Sequence, residues 1–168
     1  VKRGHTLATI NSLGKTKKVI CYIKMINNTK WKLKLNQRLR FHFGTSEVMG
    51  RIIFNKKKTK KENFDSNVII EFETIVAIAM DDKVVIRSYS PVETIASGIV
   101  LDPIPILENK SIKIFIDDIP KRIKERFFFF VEKNYKKPKN IEEWANLFFI
   151  EKELIKEWII SFNLKITN

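Results

Sequence analysis

VIRSYSPVETIASGIVLDP, residues Val85 to Pro103, reads as two short strands closed off by turns. The strands run from Lys83 to Ser88 and from Thr94 to Leu101, with a polar turn at Ser90-Pro91 between them. Toward the N-terminus the pattern repeats. Asp81-Asp82 separates Lys83 to Ser88 from a strand over Val76 to Met80, and another covers Val68 to Glu73. Earlier still, Val19, Cys21, Ile23 and Met25 alternate on one face, as do Leu39, Phe41 and Phe43, then Val48, Ile52 and Phe54. Many short strands with no helical period between them predict a closed antiparallel barrel or a sandwich up to about Asp102.

Beyond Asp102 the period changes. Pro103 and Pro105 open a linker-like stretch that reaches Asp117-Asp118, acids suited to the N-terminus of a helix. The expected first helix carries Ile119, Ile123, Phe127, Phe130 and Val131 at near 3.6 spacing and ends before Pro138. Asn140 with Glu143 predicts a capping box that opens a second helix with Ile141, Trp144, Ala145 and Phe148 on one side. A third starts near Glu151 and turns Leu154, Ile155, Trp158, Ile159 and Phe162 inward. Three helices with a short second turn resemble the start of a winged helix whose wing is missing. The expected division is a barrel over 1–103, a linker over 104–117 and a partial winged helix over 118–168. Phe127 to Phe130 point all ways round a helix, which suits core packing better than base stacking.

Composition excludes several classes. With 168 residues, 44% hydrophobic and 11% aromatic, the chain has ample material for a core and is not a disordered tail. No apolar run approaches the roughly 20 residues that span a bilayer, and the start shows no signal-peptide pattern, so the expected setting is cytoplasmic with no membrane partner. Cys21 is a single cysteine in an apolar strand pattern, read as core; with His5 and His42 it suggests no metal site. The net charge of +13 is unevenly placed. Residues 1–61 carry 17 of the 32 Lys and Arg and a single acid, Glu47, while residues 62–168 carry 15 against 18 acids. Such a field attracts a polyanion with affinity that falls as salt rises. The run Lys56 to Lys61 reads as a solvated loop instead.

The wording RSYSP, then Thr94, Ile95 and Gly98, then VLDP ending at Pro103, resembles the third domain of bacterial selenocysteine-specific elongation factors. Two further blocks fall in order: Arg3-Gly4 with Leu7-Ala8, and RFHFGTSEVMGRI from Arg40 to Ile52, similar to the aromatic strand and threonine turn of elongation factor Tu. The resemblance implies an RNA carrier with the translation-factor type of β-barrel, cut from a larger protein. Its expected partners are selenocysteinyl-tRNA, the ribosome, and the GTPase and second barrel domains of the parent chain. A messenger-RNA hairpin would be met through winged-helix units that the chain does not reach. GTP and Mg would belong to the parent's upstream domain, so no cofactor is expected here.

On the hairpin itself, a four-residue turn over Gly44 to Glu47 would face Phe43 to Val48, Phe41 to Gly50 and Leu39 to Ile52 inside. Outside it would pair His42 with Met49 and Arg40 with Arg51, beside Arg38. Two arginines directly opposite are destabilising unless an anion lies between them, and phosphate suits the guanidinium fork. The resemblance adds tRNA-contacting positions at Arg40, at Ser88 and Tyr89 after Ile86-Arg87, and at Thr45 and Thr74. Met49 stands where the relative has a tRNA-contacting threonine, which removes that hydrogen bond. Contacts of this kind position A-form RNA by shape without reading bases.

No glycine-rich phosphate loop and no nucleophile with a histidine relay is found, so no catalytic residue is expected. The alternatives are the barrel of another translational GTPase, a nucleic-acid-binding regulator with a helix-turn-helix tail, and a structural module whose lysines are compositional. The third helix exposes Glu151, Glu153 and Glu157 against Lys152 and Lys156, which argues against groove reading by that helix.

Overall fold

Strands β1 (Gly14–Met25), β2 (Arg38–Phe43), β3 (Ser46–Asn55), β4 (Asp65–Ile78), β5 (Lys83–Ser88) and β6 (Thr94–Asp102) close into an antiparallel barrel with neighbours β1-β4-β3-β2-β5-β6. The computed structural model describes residues 14–26, 31, 33–55, 65–106, 109–134 and 136–166. Arg3-Gly4, His5, Leu7-Ala8 and the Lys56 to Lys61 run fall outside these, as does the side chain of Phe54. Closure rather than a sandwich leaves each strand paired on both sides, which removes exposed edges.

Alternation decides which side chains fill the barrel. Val19, Cys21, Ile23, Leu39, Phe41, Val68, Ile70, Phe72, Ile86 and Val100 are buried in one interior cluster. Phe72 meets Phe41 and Phe43 edge-on, each at 5.5 Å between ring centroids. Cys21 is part of this core as its pattern predicts, and burial pushes its thiol pKa up. Gly98 of β6 is small of necessity: a Cβ there would collide with the Tyr22 carbonyl oxygen and lie 3.1 Å from Ile23 Cα.

The two strands expected over Val68 to Glu73 and Val76 to Met80 are one strand, β4. Its first part pairs with both β1 and β3, and its last residues pair with the start of β1 beyond an irregularity between Thr16 and Lys18. The polar Glu73-Thr74 step, which looks like a break in sequence, is solvent-facing strand where β4 runs past its β3 partner.

Among the described residues four helices follow: α1 (Asn109–Phe115), α2 (Ile123–Lys133), α3 (Ile141–Phe148) and α4 (Lys152–Ile166), with a 3-10 turn at Ile116–Asp118 after α1. Within the stretch read as linker, Ile112 and Ile116 are buried at helical spacing. Helix α2 begins later than expected, because Ile119 precedes Pro120 and is extended at φ −65, ψ 117. The capping box stands: Glu143 N donates to Asn140 Oδ1 at 2.9 Å, and Asn140 N donates to Glu143 Oε2 at 2.8 Å. Phe127 and Phe130 are buried, bearing out core packing for the aromatic run. In α4, Ile155 and Trp158 are buried, whereas Leu154 and Phe162, expected inward, are exposed.

The helices lie against the barrel's outer wall. Ile20, Ile69, Met80 and Leu101 point away from the barrel interior and join Ile112, Ile116, Phe127, Phe130, Phe148 and Ile155 in a second cluster. Polar groups fasten the same seam. Asn67 Nδ2 donates to the carbonyls of Ile116 at 2.7 Å and Ile119 at 3.1 Å. The buried Arg126 guanidinium donates to Asp81 Oδ1 and, at 2.8 Å, to the Lys121 carbonyl. Asp102 is also buried; its Oδ2 accepts from Ile106 N at 2.7 Å, and its Oδ1 has no hydrogen-bond partner. Burial pushes its carboxyl up to about 7, with the Ile106 and Ile104 amides and the Arg126 charge pulling the other way.

Candidate nucleic-acid interface

The β2–β3 hairpin turns at Gly44-Thr45, two residues rather than four, with Phe43 paired to Ser46. Gly44 sits at φ 54, the positive value that a two-residue hairpin turn places easily on glycine. The pairing therefore slides by two residues. Arg38 lies opposite Arg51, Arg40 opposite Met49, and His42 opposite Glu47, so the expected Arg40–Arg51 pair does not form. A slide of two preserves the faces, and Leu39, Phe41, Phe43, Val48 and Ile52 remain inside as expected.

Along its other edge β2 pairs with β5, and there Arg40 lies across from Arg87. Arg38, Arg40, Arg51 and Arg87 thus share one face of β2, β3 and β5. Tyr89, just past β5, is 48% exposed, and the guanidinium carbons of Arg38 and Arg40 lie 5.1 and 5.3 Å from its ring centroid. Such contacts brace flexible arginines and leave the ring with an edge to solvent.

Carboxylates temper this charge. Glu73 takes a two-pronged bond from Arg38, Nε to Oε1 at 2.6 Å and Nη2 to Oε2 at 2.7 Å. That hydrogen bonding holds the Glu73 carboxyl below its ordinary value, and Arg51 adds to the effect. Glu47 accepts from Arg40 Nη1 at 2.5 Å, with His42 Nε2 at 3.6 Å from its other oxygen. Arg51 is adjacent to Glu71 in the ladder and donates to the Asn36 carbonyl at 2.7 Å. Arg87 has no carboxylate among the described residues, and its Nε lacks a hydrogen-bond partner.

The sequence-derived candidates distribute unevenly. Arg40, Arg51 and Tyr89 come together on this face. Thr45 is exposed in the hairpin turn, at its far end. Thr74 is exposed too, but alternation turns it away from the face that Glu73 shares with Arg38. Ser88 is fully buried, and its hydroxyl accepts from Glu93 N at 2.8 Å and donates to the Pro91 carbonyl. It closes the 88–93 loop, from which Tyr89 projects exposed. Alternation along β2 already sets Arg38 beside Arg40, though not as an expected contact, whereas the place of Arg87 across from Arg40 depends on the β2–β5 register. Among the described residues no cluster of three or more His, Cys, Asp and Glu could hold a metal ion.

A closed six-stranded antiparallel barrel with an arginine-rich hairpin face and a helical tail is the architecture that the sequence resemblance to translation factors anticipates. The family model described as selenocysteine-specific elongation factor, beta-barrel domain, matches residues 18–106. That is more than half of the chain, and the chain belongs to this family. No curated protein matches it.

Proposed function

We propose that this chain binds tRNA on the outer face of β2, β3 and β5 and contributes to delivering selenocysteinyl-tRNA to the ribosome in the cytoplasm. The observation that carries the proposal is the half-exposed Tyr89 ring braced by Arg38 and Arg40, with Arg51 and Arg87 on the same face. Guanidinium groups set at strand spacing suit successive phosphates, and a tyrosine among them suits a ribose or an unstacked base. The charge asymmetry of the sequence supports the same side, since β1, β2 and β3 all derive from residues 1–61. This reading gives the chain a binding task and no catalytic step.

The helices take a different role in this proposal. Helix α3, a turn through Phe149 in the left-handed region, and α4 fit the opening of a winged-helix unit. Glu151, Glu153 and Glu157 are exposed around α4, which disfavours nucleic acid there. The unit is read as a spacer fastened to the barrel. Among the described residues no helix is long and apolar enough to cross a membrane.

The test is a titration of the chain with a selenocysteine tRNA transcript, an elongator tRNA and duplex DNA over a range of salt. Arg40→Ala/Tyr89→Ala should weaken tRNA binding at least about tenfold and flatten its salt dependence. Equal binding to all three nucleic acids, indifferent to the substitutions, would leave generic charge as the explanation.

A further inference from the structure

Four arginines share the outer face of β2, β3 and β5, and they are not equivalent. Arg38 has its fork filled by Glu73, and both side chains are about 40% exposed (40% and 39%). Arg40 is engaged by Glu47, and Arg51 by the Asn36 carbonyl. Arg87 stands directly across the ladder from Arg40 with no carboxylate of its own among the described residues. Its Nε and the Nε of Arg40 are both shielded from solvent and without hydrogen-bond partners. Two like charges opposite one another, each with a buried donor that no protein group meets, suit an anion between them.

Resting on the tRNA-binding reading above, we propose that the face is self-latched: Glu73 fills the fork of Arg38 and Glu47 holds the Nη1 arm of Arg40 in place of phosphates, leaving Arg87 as the open contact. A carboxylate and a phosphate offer a guanidinium the same pair of acceptor oxygens, so each competes for the same geometry. A phosphate approaching the Arg40–Arg87 pair meets Arg87 without breaking an ion pair. It then draws Arg40 from Glu47, and a neighbouring phosphate draws Arg38 from Glu73. The displaced carboxylates are half-exposed and return to water at little cost, which makes the latch reversible. Tyr89 keeps both guanidiniums near their working positions during the exchange, because their contact with its ring does not involve the carboxylates.

The latch discriminates between ligands. An isolated anion gains one arginine and must displace one carboxylate. A backbone carrying phosphates at regular spacing fills several forks together, so the displacement is shared over a multivalent contact. The acids thus suppress small anions more than they suppress RNA.

The test uses the full chain and a selenocysteine tRNA transcript, with inorganic phosphate as a second probe. Glu47→Gln/Glu73→Gln should bind tRNA about three- to tenfold tighter than wild type, with unchanged melting temperature. Glu157→Gln on α4 changes net charge in the same direction far along the chain, and should leave affinity within about twofold. Arg87→Ala should weaken tRNA binding and reduce the slope of log affinity against log salt by about one. Wild-type binding that is unchanged or weakened in the carboxamide variant overturns the latch alone, since the acids would then position the arginines rather than block them. A gain equal to that of Glu157→Gln overturns it as well. Absence of tRNA binding by wild type and carboxamide variant alike overturns both the latch and the tRNA reading beneath it.

Discussion

Replacing Arg126 with methionine removes the ion pair that ties α2 to Asp81 of the barrel, together with two carbonyl bonds in the segment leading into α2. Its side chain is fully buried, and its guanidinium bonds Asp81 Oδ1, the Lys121 carbonyl at 2.8 Å and the Pro120 carbonyl at 3.3 Å. Methionine retains most of the apolar stem and removes every one of these bonds. A hydrogen bond between charged groups contributes roughly 1.5–3 kcal/mol. Asp81, at 41% exposure, regains water when its partner leaves, which offsets part of the loss. Asp102 is buried and loses a nearby positive charge, which further favours its protonated form. The net expectation is a destabilisation of about 2–3 kcal/mol. Trp144 and Trp158 both lie in the helix cluster, so their fluorescence reports this region during urea unfolding. With a urea slope of about 2 kcal/mol/M, the midpoint should fall by about 1 M. Asp81→Asn should cost less than half as much, because the arginine keeps its carbonyl partners. A midpoint for Arg126→Met within about 0.2 M of wild type would refute the fastening role.

Three further outcomes follow from the same packing. Gly98→Ala forces β6 away from the Tyr22 carbonyl and should cost at least about 3 kcal/mol, read as loss of the folded barrel by circular dichroism; a stable, soluble variant would contradict the close approach. Asn67→Ala strands the Ile116 and Ile119 carbonyls and should cost about 1–3 kcal/mol in urea unfolding, with an unchanged midpoint counting against the bonds. Asp102 has a folded pKa of about 7, above its ordinary 3.8, so the folded chain holds a proton that the unfolded chain releases. The stability tied to that proton is full below about pH 4 and lost as pH rises through about 7, so Asp102→Asn should gain on wild type in melting temperature from pH 4 to pH 8, and a pH-independent gap would contradict it.

What could be read from sequence followed from strong local signals. Strict alternation in Leu39, Phe41 and Phe43 fixes the inward face whatever the register, which is why the interior was legible and the cross-strand partners were not. The register turned on one backbone torsion at Gly44, and a two-residue turn and a four-residue turn leave the same residues inside. The pairing of Arg40 with Arg87 belongs to the β2–β5 ladder, a long-range register that the hairpin turn does not set. Ser88 and Tyr89 look alike as candidates in sequence. The loop closure that buries one and exposes the other depends on Pro91 and Glu93, contacts that no period reveals. The capping box at Asn140 was legible because it is local and its two bonds come from a four-residue pattern. Helix α1 was not, since seven residues with no acid in the first turn give little signal, and its burial comes from the barrel wall. One hint of that wall was present: Val68, Ile69 and Ile70 form a continuous apolar run, the mark of a strand covered on both faces.

The proposed RNA face of this barrel is the outer side of β2, β3 and β5. The most direct measurement is amide shift mapping by NMR on the labelled chain during titration with selenocysteine tRNA. Perturbed amides should concentrate in residues 38–51 and 85–93, with the α2–α4 amides unmoved. Perturbations centred on α2–α4, or confined to the Lys56 to Lys61 segment with β2, β3 and β5 silent, would contradict it.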